Sequence, residues 1–449
     1  MTSRKLTGLT ADIRNKLIQR SMERRLRAAG EAAESPAPPG AATGVHDVPE
    51  EHYRFALHPG FVQLRIISEG AERLGIASPF FRQHEGIAGA TTRIGGRSYV
   101  NFGSYNYLGL CGHPEVTAAA TMAIERYGTS VSASRMVSGE RPVHRELERA
   151  IAEAYGVDDA VVFVSGHATN VTTISHLFGP KDLVVHDAMI HNSTLQGIQL
   201  SGAKRMSFPH NDWSALDRLL AGHRLGFQRV LVVLEGIYGM DGDFPDLPRF
   251  IEVKRRHRAF LMVDEAHSFG VMGATGLGIR EHFGLAGGDV DIWMGTLSKS
   301  LAGCGGYIAG EAALVEHLKC LAPGFLYSVG ISPPLAAASL CALRILRREP
   351  WRVRDLQERG QSFLRQAKAA GIDTGTSAGI AIVPAITGGS LRAARLSEAL
   401  FGRGINVQPI LYPAVPERAA RLRFFLAHEH TPAQVSSTVQ ALAEELGRL

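Results

Sequence analysis

The chain has 449 residues, of which 45% are hydrophobic and 20% charged, and a formal net charge of +5. That length supports a large apolar core and more than one domain, while the lack of any run of eighteen apolar residues excludes a helical membrane span. Four scattered cysteines (Cys111, Cys304, Cys320, Cys341) form no CxxC pair, and "MTSRKLTGLT" lacks an apolar leader, so a structural zinc site is excluded and a reducing, cytoplasmic setting is expected.

Residues 1–29 hold eight Lys or Arg against two acids. Within 10–30 the spacing of Ile13, Leu17 and Met22 predicts a helix closed by Gly30, and "EAAESPAPPGAATG" then reads as a linker. Such a helix is either a solvated face or a surface that steers an acidic partner. No aromatic residue interleaves its charges, which argues against nucleic acid. The predicted organisation is a basic helix and linker over 1–50, an arm over 51–98, a large domain over 99–335 and a smaller α+β domain over 336–449.

From 155 to 310 short apolar runs alternate with helical stretches: "AVVFVSG", "LVVHD", "VLVVLEG", "FLMVDEAH", "VDIWMGT" and "GGYIAG". Near-continuous Val/Leu/Ile strands in β-α alternation predict an α/β fold with a mostly parallel sheet covered on both faces. Ligands of such sheets sit beyond the strand carboxyl ends, where Gly166, His186, Asp264, His267 and Lys299 fall. After "SPP", the runs 378–388, 404–413 and 420–427 predict the strands of the C-terminal domain.

Lys299, in "GTLSKSLAGCGG", lies where an ammonium is costly to desolvate. A carboxylate, an imidazole and a lysine above one sheet can form a structural ion-pair network. Together they also suit pyridoxal 5'-phosphate, whose Schiff base needs the lysine and whose pyridine nitrogen needs the carboxylate. The strand, glycine turn and helix of "FVSGHATN" supply backbone donors for its phosphate at Gly166 and His167. His191 of "HDAMIHNST" is placed to cover the ring, with His186 and Asp187 as local support. "DEAH" also spells a helicase box, but no GxxxxGK[ST] loop accompanies it. The glycines after Lys299 lack the GxGxxG frame and predict tight backbone approach beside the cofactor.

"NYLGL", "GTSVSASRMVSGERPVHRELE", "LEGIYGMDGD", "VDEAHSFGVMGATGLG" and "GTLSK" resemble the α-oxoamine synthases of the fold type I pyridoxal phosphate enzymes. The likeness covers roughly residues 95–435 and is greatest to the oxoamine synthase domains associated with polyketide synthases. It implies an aminotransferase-like large domain and a homodimer. The implied reaction is a decarboxylative condensation of an amino acid of the glycine, alanine or serine class with an acyl thioester, giving an α-amino ketone. An acyl carrier protein is the expected donor, with acyl-CoA, as for an 8-amino-7-oxononanoate synthase or serine palmitoyltransferase, as the alternative. A silent partner subunit is disfavoured because Lys299, Asp264 and His267 are all present.

Carried over residue by residue, the resemblance makes Lys299 the Schiff-base lysine and catalytic base, Asp264 the partner of the pyridine nitrogen, His267 a hydrogen-bonder to the ring's phenolic oxygen and His191 the stacking residue. Thr296 and the amides of Gly166 and His167 hold phosphate, joined by Ser328 from the second subunit. Arg423 grips the amino acid carboxylate and Asn106 lies near the substrate. Two positions depart from the family pattern: Gly239 stands where serine is usual, leaving more of the phenolic contact to His267, and His167 stands where tyrosine or phenylalanine is common.

Overall fold

The computed structural model describes residues 48–449 apart from 74 and 76. The helix expected over 10–30 lies outside the described residues. The chain divides after Gly75 into two compact units. The first contains the helix Pro59–Arg73.

The second unit is organised by a seven-stranded sheet. A hairpin, β1 (Thr91–Ile94) and β2 (Arg97–Asn101), precedes it. The sheet strands are β3 (Asp159–Phe163), β4 (Leu183–Asp187), β5 (Lys204–Phe208), β6 (Val230–Glu235), β7 (Phe260–Asp264), β8 (Ile292–Thr296) and β9 (Gly306–Gly310), in the order β3-β9-β8-β7-β6-β4-β5. Strands β5, β4, β6, β7 and β8 run parallel, as the apolar runs of β4, β6, β7 and β8 predict. β9 runs antiparallel to both neighbours. The nine residues between Thr296 and Gly306 are too few for the crossover that parallel strands require, so the Lys299 segment folds as a hairpin loop.

Side-chain alternation assigns the two faces. Val230, Val232 and Leu234 of β6 belong to one core, and Leu231 and Val233 to the other. Continuing that period of two puts His186, Glu235, Asp264 and Thr296 on a single face near the strand carboxyl ends. Helix Gly166–Leu177 covers this face and buries Ile174 in the same cluster as Leu231 and Val233. β5 was not expected from the sequence: its pattern is largely exposed, as an edge strand permits.

Residues beyond 336 add β10 (Ile382–Ile386), β11 (Ile405–Asn406), β12 (Pro409–Ile410) and β13 (Arg421–Phe425). β10, β13 and β12 form a separate antiparallel sheet, while β11 pairs in parallel with β2. Among the described residues no helix is long and apolar enough to cross a membrane.

Candidate active site

β7 ends at Asp264, and the turn after it carries His267. Asp264 is buried; its Oδ2 accepts from Asn170 Nδ2 at 2.8 Å and its Oδ1 from the Ala266 amide at 3.0 Å. Asn170 sits on the covering helix and also donates to Ser193 Oγ at 2.9 Å, tying the carboxylate to the start of helix Asn192–Ser201. His191 caps that helix, its Nδ1 within 2.7 Å of Ser193 Oγ. Burial lowers the affinity of His191 for a proton, and Asp264, Lys299, His167 and Arg423 all act on it electrostatically, so these groups surround one space.

Lys299 follows β8. Burial pushes its ammonium down to about 8, against the pull of Asp264 and Glu235. At pH 7 roughly one lysine in ten is then neutral, against roughly one in three thousand at 10.5. Glu235 ends β6 in register with Asp264, and burial, followed by the neighbouring carboxylate, pushes it up to about 8. The sequence reading missed Glu235 and Asn170. The available signal for Glu235 was its place at a strand end in the same layer as Asp264; Asn170 had only its position one helical turn beyond Gly166.

Arg423 reaches in from β13. Its Nη1 donates to the Gly239 carbonyl at 2.8 Å, its guanidinium lies 4.6 Å from the Phe425 ring, and its Nε is buried without a hydrogen-bond partner. Gly239 packs directly on His267: a Cβ there would lie 2.5 Å from His267 Nε2. His267 Nδ1 is bonded to the Tyr107 hydroxyl at 2.9 Å, a second partner the sequence reading missed. Burial holds the imidazole well below its ordinary value, with Lys299, Arg423 and His191 adding to the effect.

At the helix start, a Cβ on Gly166 would lie 3.0 Å from Thr296 Oγ1. Thr296 Oγ1 donates to the Gly305 carbonyl at 2.9 Å and accepts from the Ser298 amide at 3.2 Å, while Ser298 Oγ accepts from the Gly305 amide at 3.3 Å. Ser298 thus closes the hairpin that carries Lys299. The glycines beyond do make close backbone approaches, but to protein: a Cβ on Gly306 would meet Gly166 Cα at 2.7 Å, and one on Gly305, at φ +149°, the Phe163 carbonyl at 2.7 Å. They dock the lysine hairpin against the turn that leads into the covering helix.

Asn106 is buried and lines, with Lys299, Tyr105 and Cys111, a cavity of about 350 Å3. Its amide is committed to the wall of that cavity, donating to the Ala88 carbonyl at 2.8 Å and accepting from the Cys111 amide at 3.1 Å. Ser328 is half-buried, its hydroxyl turned to the Val329 carbonyl at 3.3 Å, and none of its hydrogen bonds joins it to the other site residues within one chain.

The donor set fits pyridoxal phosphate. A lysine of lowered basicity stands among a braced carboxylate, two imidazoles and the first amides of a helix, and Arg423 Nε and Asn170 Oδ1 remain as buried polar atoms without partners. Fold and site therefore define a fold type I pyridoxal phosphate enzyme. Residues 97–442 match the aminotransferase class I and II family. The 8-amino-7-oxononanoate synthase of Geobacter sulfurreducens is 41% identical over 367 residues, covering 81% of this chain and 93% of that protein. The one from Pseudomonas putida is 40% identical over 371 residues, covering 82% and 94%. A serine palmitoyltransferase from S. paucimobilis, solved with bound PLP–myriocin, superposes with a TM-score of 0.82 at 30% identity, covering 87% of this chain and 99% of its own. The chain belongs to the α-oxoamine synthases, acyltransferases that depend on pyridoxal phosphate.

Proposed function

We propose that this α-oxoamine synthase condenses a small amino acid, of the glycine, alanine or serine class, with an acyl thioester carried on an acyl carrier protein. The observation that carries the proposal is Lys299, a half-buried lysine whose ammonium is lowered by desolvation to about 8 beside Asp264 and Glu235. Bound pyridoxal phosphate supplies an electron sink for the pair left on the amino acid's Cα when a proton or carbon dioxide departs. Lys299, which anchors the cofactor between turnovers, takes the Cα proton through its neutral Nζ and returns one after carbon dioxide leaves. Asp264, braced by Asn170 and the Ala266 amide, holds the proton on the pyridine nitrogen. His191 stacks on the ring and His267 donates to its phenolic oxygen. Gly166, His167 and Thr296 hold the phosphate. Arg423, whose free Nε supports the role, binds the substrate carboxylate.

Ser328 completes the phosphate site from the second subunit of a homodimer. The exposed apolar side chains beside it, Tyr327 at 79% and Val329 at 49%, support an interface there. The basic character of residues 1–29 supports an acidic carrier-protein donor. The favoured donor is tested by giving acyl-carrier and acyl-CoA forms of one chain to the enzyme and weighing the products by mass spectrometry. Faster turnover with the carrier form, lost on deleting residues 1–45 while a small thioester mimic is still used, is expected; equal use of both forms would overturn the carrier-protein preference, and faster use of the CoA form would select CoA. A shift of the cofactor's visible absorbance with one amino acid and not others identifies that substrate.

A further inference from the structure

We propose that Tyr107 is a positioning residue for His267, setting its tautomer and orientation so that Nε2–H is the donor offered to the site. The inference rests on the reading of His267 as the partner of the cofactor's phenolic oxygen.

Tyr107 is fully buried among apolar side chains, where phenylalanine would fill the same volume, and its hydroxyl reaches His267 Nδ1 at 2.9 Å. Burial holds the phenol protonated, far above its ordinary value, and keeps the imidazole neutral. Two neutral groups can share this bond in either direction. If Nδ1 carried the hydrogen, the phenolic hydrogen would have no acceptor, since the hydroxyl makes only this one hydrogen bond among the described residues. A buried donor left unmade is disfavoured. Tyr107 therefore donates, Nδ1 accepts, and the histidine hydrogen resides on Nε2.

The ring is held on its other sides as well. Phe425 lies parallel to it at 3° with centroids 6.2 Å apart, and Tyr105 meets it edge-on at 5.9 Å. At the opposite edge from Tyr107, Nε2 faces the backbone of Gly239. A side chain at 239 would crowd that nitrogen, whereas glycine leaves it open. Tyr107 and Gly239 thus act on opposite edges of one imidazole, the first fixing Nδ1 as acceptor and the second leaving Nε2 free to donate.

The test is a double-mutant cycle on the holoenzyme with Tyr107→Phe, His267→Gln and the pair, reading the pH at which the cofactor's visible absorbance titrates and the rate at which cofactor is lost. A bond donated to the phenolic oxygen weakens that oxygen's hold on the neighbouring proton, so each single change should raise the midpoint. Tyr107→Phe is expected to raise it by about half a unit to one unit and to release cofactor roughly three to ten times faster. With His267→Gln in place it should shift the midpoint no further. An equal shift in both backgrounds, or none in the wild-type background, overturns the role of Tyr107. A midpoint unmoved by His267→Gln overturns the reading of His267 and the inference with it. Independently of either variant, nitrogen-15 spectra of histidine-labelled enzyme should show His267 protonated at Nε2 and bare at Nδ1; the reverse pattern refutes the proposal.

Discussion

Lys299→Met isolates the energetic cost of keeping an amine in this site. Methionine matches the lysine stem closely in volume, so the substitution mainly removes the charge. The ammonium is held at about 8 against an ordinary 10.5. The folded state therefore disfavours the charged form by up to about 3 kcal/mol, at about 1.4 kcal/mol per unit. Access through the adjoining cavity reduces this to about 1–3 kcal/mol. The folded value lies below the unfolded one, so the cost is complete below pH 8, where lysine is charged in both states. It fades between pH 8 and 10.5 as the folded amine has already lost its proton and the unfolded one begins to. Cofactor-free Lys299→Met should thus be more stable than wild type by about 1–3 kcal/mol at pH 7 and nearly equal at pH 10.5, while turnover is abolished. Urea unfolding of both proteins at matched protein concentration, at each pH, reads the difference. A variant less stable than wild type at pH 7, or an advantage unchanged at pH 10.5, would refute the reasoning.

Asn170→Ala should leave Asp264 short of a donor and weaken cofactor binding about tenfold, measured by titrating cofactor-free enzyme. His210 bonds Asp187 at 2.8 Å and Asp243 at 2.9 Å; burial opposes its charge, yet the two carboxylates hold it up at about 10. Because that value is raised, its contribution is fully present below about pH 6.5 and is lost as pH rises through 10. The stability gap between wild type and His210→Gln, read by thermal unfolding, should accordingly be widest near pH 6 and shrink toward pH 10. Gly305→Ala puts a methyl group 2.7 Å from the Phe163 carbonyl at a positive φ, and should cost about 1–3 kcal/mol of stability and loosen the lysine hairpin, seen as faster cofactor loss.

The parallel strands were legible because strands buried on both faces must be apolar along most of their length, and β4, β6 and β7 are, up to the polar residues that end them (His186 and Asp187, Glu235, and Asp264). The positions of Lys299, Asp264, His267 and His191 were legible because each ends or follows a strand, and strand ends converge. β5 escaped because an exposed edge leaves no continuous apolar run. Tyr107 escaped because its partner lies 160 residues away, and Asn170 because Asp264 lies 94 residues away.

By itself the sequence determined the fold class, the family and the residues that stand above the sheet, since apolar patterning and local turns encode these within short windows. Only the tertiary structure decided how those groups are tuned. Glu235 faces Asp264 through cross-strand register, Gly239 opens one edge of His267 while Tyr107 holds the other, and Lys299 loses its proton readily because distant segments bury it. Each of these depends on distance and desolvation between residues that no local window contains.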